Sequence, residues 1–111
     1  MREGDVVIAP LPQADGRIKN RPVIVLRKFP PFGDFLACGI SSQISQAVPG
    51  FDELIDSGDD DFVTSGLKVP SLIRLGFLAL LASGDLVGRI GSISSTRHRR
   101  LLERLSEYLT R

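Results

Sequence analysis

The apolar segments of this chain are short, and proline, glycine and polar residues separate them. This spacing limits each segment to a strand or a turn of helix. Six segments have the length and composition of strands: Asp5 to Pro10, Val23 to Leu26, Phe35 to Ile40, Gly50 to Ile55, Val69 to Leu75 and Val87 to Ile93. So many short strands in one small chain predict a β-barrel or half-barrel.

Two connections organise the first half of the chain. Leu11 to Asn20 holds proline, glycine and polar residues, which predicts a long loop, and loops of that kind often carry function. Phe29 to Asp34 is rich in turn-forming residues. The strands that flank this turn are therefore expected to pair as a hairpin.

The apolar residues of the C-terminal tail recur with a different spacing from those of the strand segments. Apolar residues recur there at helical spacing: Leu101, Leu102, Leu105, Tyr108 and Leu109. Ser94 or Ser95 can cap the start of such a helix. We expect an amphipathic helix that closes one side of the barrel or lies at a subunit interface.

Length and composition indicate one soluble domain covering residues 1–111. The net charge is only +1, but the segment from Phe51 to Phe62 holds six acids and no base, so the remainder is basic. A basic body is compatible with a polyanionic ligand, although clustered arginines are often an ordinary solvated face. The single Cys38 is expected to pack as a small apolar residue, which fits a reducing cytoplasm.

Several familiar kinds of site are excluded. A single histidine, His98, leaves no histidine pair for general acid–base catalysis and no set of Cys and His ligands for zinc. We expect His98 to be structural. The run Asp59 to Asp61 lacks the ligand spacing of a calcium loop and is interpreted as a solvated turn. The glycines of "GDLVGRIG" match no phosphate-binding pattern.

Arg21 stands directly before Pro22, at the start of a buried strand. A residue before proline is held in an extended conformation, which fixes the arginine at the entrance to the sheet. If the second and third strands pair, Arg21 lies next to Ser41. A guanidinium beside a hydroxyl can bind a phosphate and stabilise developing charge. The alternative is a strand-end surface charge and a turn residue.

The order of several motifs resembles the MazF/PemK (Kid) family of toxins from type II toxin-antitoxin systems. The motifs are "GDVVIAP", "RPVIVL", "CGISSQ", "SGLKVPSLIRL", "LVGRIGSIS" and the tail helix, and they span Gly4 to Leu109. The resemblance implies an SH3-like barrel with a C-terminal helix and a homodimer. It also implies metal- and cofactor-independent cleavage of single-stranded RNA by 2′-hydroxyl attack, which leaves a 2′,3′-cyclic phosphate and a 5′-hydroxyl.

The resemblance also assigns residues. Arg21 corresponds to the catalytic cation and candidate general acid, and Ser41 to a hydroxyl that contacts the phosphate. Six further residues are expected to bind the substrate: Arg17, Lys19, Asn20, Ser42, Gln43 and Arg74. An antitoxin with a flexible, acidic and apolar segment is the implied partner, and Arg17 and Lys19 would attract either that segment or RNA.

Two departures from the family pattern bear on activity. Gly76 stands where some relatives carry an acid, and the histidine of some relatives' first loop is missing. These differences shift the expected chemistry onto Arg21 and Ser41. Two alternatives therefore stay open: a protein-binding gyrase poison resembling CcdB, and a catalytically silent binding module on the same barrel.

Overall fold

The computed structural model describes all residues from 1 to 111. It contains six strands: β1 (Asp5–Pro12), β2 (Ile18–Phe29), β3 (Asp34–Ser41), β4 (Glu53–Ile55), β5 (Ser71–Leu81) and β6 (Gly88–Ser92). The helices are α1 (Phe62–Ser65) and α2 (Ser95–Leu109), and short 3-10 turns lie at Ile44–Gln46 and Ser83–Asp85. Neither helix has the length and apolar composition that a membrane-spanning helix requires.

The six strands form one curled antiparallel sheet in the order β4-β5-β3-β2-β1-β6. The predicted mostly-β half-barrel with a C-terminal helix is therefore confirmed. The predicted hairpin between the second and third strands is confirmed as well, because β2 and β3 pair with Val23 opposite Gly39.

The predicted loop from Leu11 to Asn20 is wrong. β1 and β2 continue as a hairpin in which Leu11 faces Lys19, and only residues 13–17 remain as the connection. The prolines Pro10 and Pro12 signalled a loop, yet pairing with β6 ends at Ile8, so both lie where β1 has no neighbour on that side. Proline is tolerated at such an open edge because no hydrogen bond is lost there.

Other boundaries also moved. β5 continues to Leu81, beyond the predicted end at Leu75, because its second half pairs with β3 from Phe35 to Cys38. β4 is only the last part of the segment predicted from Gly50 to Ile55. The short helix α1 was not predicted from the sequence.

Both faces of the sheet are apolar. One cluster includes Val6, Ile24 and Leu26 and is covered by Leu101 and Leu105 of α2, so the helix closes one side of the sheet as predicted. A second cluster on alternate residues lies on the other face and includes Val7, Val23, Val25, Phe35 and Ala37. Cys38 is fully buried, and burial raises the pKa of its thiol to about 12.

α2 begins where two contacts fix its first turn. Ser94 is the N-cap, and its hydroxyl accepts a hydrogen bond from the backbone N–H of Arg97 at 3.1 Å. One turn along, His98 Nε2 lies 2.8 Å from the carbonyl oxygen of Leu26, so the histidine joins the helix to β2. Its position agrees with the structural role expected for it.

Arg97 is buried and holds α2 against the acidic segment. Its guanidinium donates to both carboxylate oxygens of Asp61, at 2.8 and 3.1 Å, to Glu53 at 2.6 Å and to Asp59 at 3.0 Å. The interpretation of Asp59 to Asp61 as a solvated turn is therefore wrong for two of its three acids. The sequence gives no sign of this pairing, because Arg97 and Asp61 are brought together only by the tertiary fold.

Two more arginines of α2 complete the network. Arg100 donates from Nε to Glu53 at 3.0 Å, and Arg104 lies 3.2 Å from the same carboxylate. Burial by itself raises the pKa of Asp61, but hydrogen bonds from Arg97 and Ser94 and the charge of Arg97 outweigh it, so this pKa lies below its ordinary value. Three of the six acids of this segment, Glu53, Asp59 and Asp61, are thus paired with arginines of α2.

We expect Arg97→Met to lower the free energy of unfolding at neutral pH by about 3 to 5 kcal/mol, because buried carboxylates lose their counter-charge. Urea unfolding measures this change. The matched control is Arg99→Met, which removes an exposed pair with Glu103 and should cost less than about 0.5 kcal/mol. Equal stability of the Arg97→Met and wild-type proteins would contradict the role assigned to Arg97.

The same variants should differ in their response to pH. A carboxylate with a lowered pKa in the folded state stabilises above its unfolded pKa and loses that contribution as pH falls through the folded value. The deficit of Arg97→Met should therefore shrink below about pH 4, where the unfolded-state carboxyl groups become protonated.

Candidate functional site

A cavity of about 620 Å³ opens at one end of the sheet. Its lining comes from five strands, all except β4, from the β1–β2 connection and from the segments that follow β3 and α1. The lining includes the cations Arg21, Lys68 and Arg74 and no aspartate or glutamate.

The pairing of β2 with β3 brings Arg21 and Ser41 to this cavity. Val23 lies opposite Gly39, and continuing the antiparallel register by two residues sets Arg21 opposite Ser41. Both residues line the cavity. On its other side, Arg21 pairs with Ala9 of β1, which holds its backbone in the sheet.

Ser41 ends β3 and begins a tight turn. Its Oγ accepts a hydrogen bond from the backbone N–H of Gln43 at 3.1 Å. A hydroxyl has one donor and two acceptor positions, so the proton of Ser41 is left to donate to a ligand oxygen. The turn also brings Ser42 and Gln43 to the cavity lining.

A bulge in β5 brings two further residues to the cavity. The register between β3 and β5 shifts where Cys38 faces Leu78 but Gly39 faces Arg74. The extra β5 residues include Phe77, whose ring packs against Gly39; a Cβ on that glycine would lie 3.2 Å from Phe77 Cγ. The guanidinium carbon of Arg74 lies 5.9 Å from the centre of the same ring, within the range of a cation–π contact.

Lys68 reaches the cavity because α1 packs backbone to backbone against β6. Gly66 ends α1 with a φ of +76°, and a Cβ there would lie 2.1 Å from the carbonyl oxygen of Ile90. A Cβ on Gly91 would lie 2.2 Å from the carbonyl oxygen of Thr64. The two glycines therefore allow the close contact that fixes this wall.

The electrostatics of the cavity favour an anion. None of its three cations forms a salt bridge, whereas all the salt bridges of α2 and the acidic segment lie elsewhere. Unpaired guanidinium and ammonium groups attract phosphate oxygens, and a guanidinium can bind two at once. No group of three or more His, Cys, Asp and Glu side chains is placed to hold a metal ion.

The structure brings together most of the residues predicted for the site. Five of them line the cavity: Arg21, Ser41, Ser42, Gln43 and Arg74. Three do not: Arg17, Lys19 and Asn20, which lie on the β1–β2 hairpin and are exposed. The catalytic and binding roles given to these residues remain predictions.

Sequence reasoning missed Lys68 and Phe77, which also line the cavity. Phe77 is half-buried, whereas Phe29, Phe32 and Tyr108 are exposed and do not line the cavity. The glycine pair at Gly66 and Gly91 could have pointed to Lys68 only if the contact between α1 and β6 had been known.

Comparison with known proteins identifies the family. The profile described as "PemK-like, MazF-like toxin of type II toxin-antitoxin system" matches residues 2–109, so the chain belongs to this family. Among solved structures it is similar to the Mycobacterium tuberculosis toxin MazF-mt6, with a TM-score of 0.67, 22% sequence identity and 96% of each chain covered. That likeness supports the fold. A comparison with curated proteins found no match.

We expect Gly91→Ala to lower the free energy of unfolding by about 2 kcal/mol or more, because its Cβ would overlap the backbone of Thr64 and Ser65. Gly88→Ala on the same strand is the control, since a Cβ there meets nothing within 4 Å, and it should change stability by less than about 0.5 kcal/mol. Thermal unfolding compares them. Equal effects would show that the α1–β6 contact is looser than described.

Proposed function

We propose that this toxin is an endoribonuclease that cleaves single-stranded RNA in the cationic cavity and needs neither metal nor cofactor. The observation that carries the proposal is the meeting of Arg21, Arg74 and Lys68 with the hydroxyl of Ser41 in a cavity lined by no carboxylate. Membership of the MazF/PemK toxin family supports it. An RNA backbone offers a phosphate on every nucleotide to such a surface.

The proposed reaction is an internal transesterification. The 2′-oxygen of a ribose attacks the adjacent phosphorus, the bond from phosphorus to the 5′-oxygen breaks, and a 2′,3′-cyclic phosphate and a 5′-hydroxyl result. The 2′-hydroxyl loses its proton to one water molecule and the departing 5′-oxygen takes a proton from solvent, so no net proton is gained or lost. The protein has to hold the phosphate and stabilise the additional charge of the transition state.

Arg21 and Ser41 are assigned those tasks. A guanidinium stays charged at any physiological pH, so Arg21 acts as a fixed positive charge beside the phosphorus rather than as a proton donor. The free hydroxyl proton of Ser41 donates to a non-bridging oxygen. Arg74 and Lys68 hold neighbouring phosphates.

The partners in this proposal follow from the same charges. An antitoxin with an acidic segment would compete with RNA for the unpaired cations of the cavity and for Arg17 and Lys19 on the hairpin. The proposed setting is a homodimer in the cytoplasm. A gyrase poison would need no phosphate-binding cavity of this kind, so a supercoiling assay separates that alternative.

We expect Arg21→Ala to reduce cleavage of single-stranded RNA in EDTA by about 100-fold or more, the usual effect of removing one charge-stabilising donor. The control is Arg99→Ala, which removes an exposed arginine of α2 outside the cavity and should leave the rate unchanged. Circular dichroism checks the fold of both variants. Undiminished cleavage by Arg21→Ala would remove this residue from the mechanism.

We expect Ser41→Ala to slow cleavage by about 10- to 100-fold, because the loss of one neutral hydrogen bond costs roughly 1 to 3 kcal/mol. Single-turnover rates measure the chemical step, and Ser57→Ala in an exposed loop is the control. A rate equal to that of the wild type would refute the role of Ser41. If the wild type itself leaves RNA intact, a silent binding module becomes the better description.

A further inference from the structure

Phe77 is the only aromatic residue in the cavity, and its position is unusual for a core residue. It is half-buried, lines the same cavity as Arg21 and Ser41, and belongs to the bulge in β5. Its ring packs against Gly39, where any side chain would meet it. The backbone thus supports the ring from behind while the ring remains part of the cavity surface.

Arg74 adds a charge to this aromatic surface. Its guanidinium carbon is 5.9 Å from the ring centre, and no carboxylate pairs with it. A flat aromatic group next to an unpaired planar cation suits a ligand that carries a π-system and a phosphate together. A nucleotide has both, whereas a simple polyanion has only the second.

We infer that Phe77, with Arg74 beside it, is a base-stacking subsite that holds one nucleobase of the RNA next to the phosphate at Arg21 and Ser41. This inference rests on the proposed function, since it concerns how that substrate is held. Stacking accepts every base because each has a π-face, so the subsite contributes affinity and position, with sequence preference a smaller effect. Phe77 is therefore a substrate-contacting residue and takes no part in bond making.

The first test uses Phe77→Trp as a reporter. The chain has no natural tryptophan, so the new residue supplies the only indole fluorescence. Short single-stranded 2′-O-methyl oligonucleotides serve as probes because they cannot be cleaved, and base-free oligomers of ribose phosphate serve as the control. We expect quenching by the base-bearing oligomers and none by the base-free ones.

The second test uses wild-type protein and Phe77→Leu, which keeps an apolar side chain of similar volume. Fluorescence anisotropy should show that Phe77→Leu weakens binding of the base-bearing oligomers by about 5- to 100-fold, the usual range for one stacked base. Binding of the base-free oligomers should not change. Phe77→Tyr should restore the affinity, since it keeps the aromatic face.

Gly39→Ala tests the support of the ring. Its Cβ would lie 3.2 Å from Phe77 Cγ and displace the ring. The substitution should therefore weaken the binding of base-bearing oligomers when Phe77 is present and have little further effect on binding in the Phe77→Leu background. An additive loss in the double variant would contradict the assigned support.

The outcomes separate this inference from the proposed function. Equal responses to base-bearing and base-free oligomers, or no response to either, would overturn the stacking subsite even if the wild type cleaves RNA. Base-dependent quenching without any cleavage would retain the subsite and refute the nuclease.

Discussion

The burial of Arg97 among carboxylates determines which charged side chains of this protein are paired inside the fold and which have no salt-bridge partner. Asp61, Glu53 and Asp59 all point to its guanidinium, and Arg100 adds a second contact to Glu53. Such a network is costly to form, because each ion loses its hydration, and it is stable only while every member is paired. α2 is thereby joined to the segment that leads from β4 through α1.

This internal pairing accounts for the character of the cavity. A chain with a net charge of +1 has little charge to attract a polyanion, yet Glu53, Asp59 and Asp61 pair with arginines of α2, and the three cations of the cavity have no carboxylate partner. The separation of charge within the fold therefore matters more than the total. The pairing of Asp61, directly before α1, with Arg97 also fixes the position of this one-turn helix, from which Lys68 reaches the cavity.

The parts of the fold that could be predicted depend on local chemistry. The turn from Phe29 to Asp34 predicts the β2–β3 hairpin, and the helical spacing with its serine cap predicts α2. That hairpin, together with the family resemblance, was sufficient to place Arg21 near Ser41. The site could be predicted to this extent because both residues belong to neighbouring strands joined by a short turn.

What could not be predicted depends on contacts between distant parts of the chain. The partners of Arg97 are 36 or more residues away, and nothing in the pattern of Asp59 to Asp61 distinguishes a buried acid from a solvated one. Phe77 reaches the cavity through a bulge whose position depends on Gly39 in another strand. Pattern alone assigns such a phenylalanine to the core.

The same bulge determines whether position 76, where some relatives carry an acid and this chain has Gly76, can contribute a side chain to the cavity. Gly76 does not line the cavity, and a Cβ there would lie 3.5 Å from the ring of Phe51 instead. Arg74, two residues before it, and Phe77, directly after it, line the cavity. A side chain at position 76 would therefore start toward Phe51, so the glycine by itself does not account for the absence of a carboxylate beside Arg74. A site of this composition favours binding and charge stabilisation over proton transfer, since its lining includes no histidine, cysteine, aspartate or glutamate.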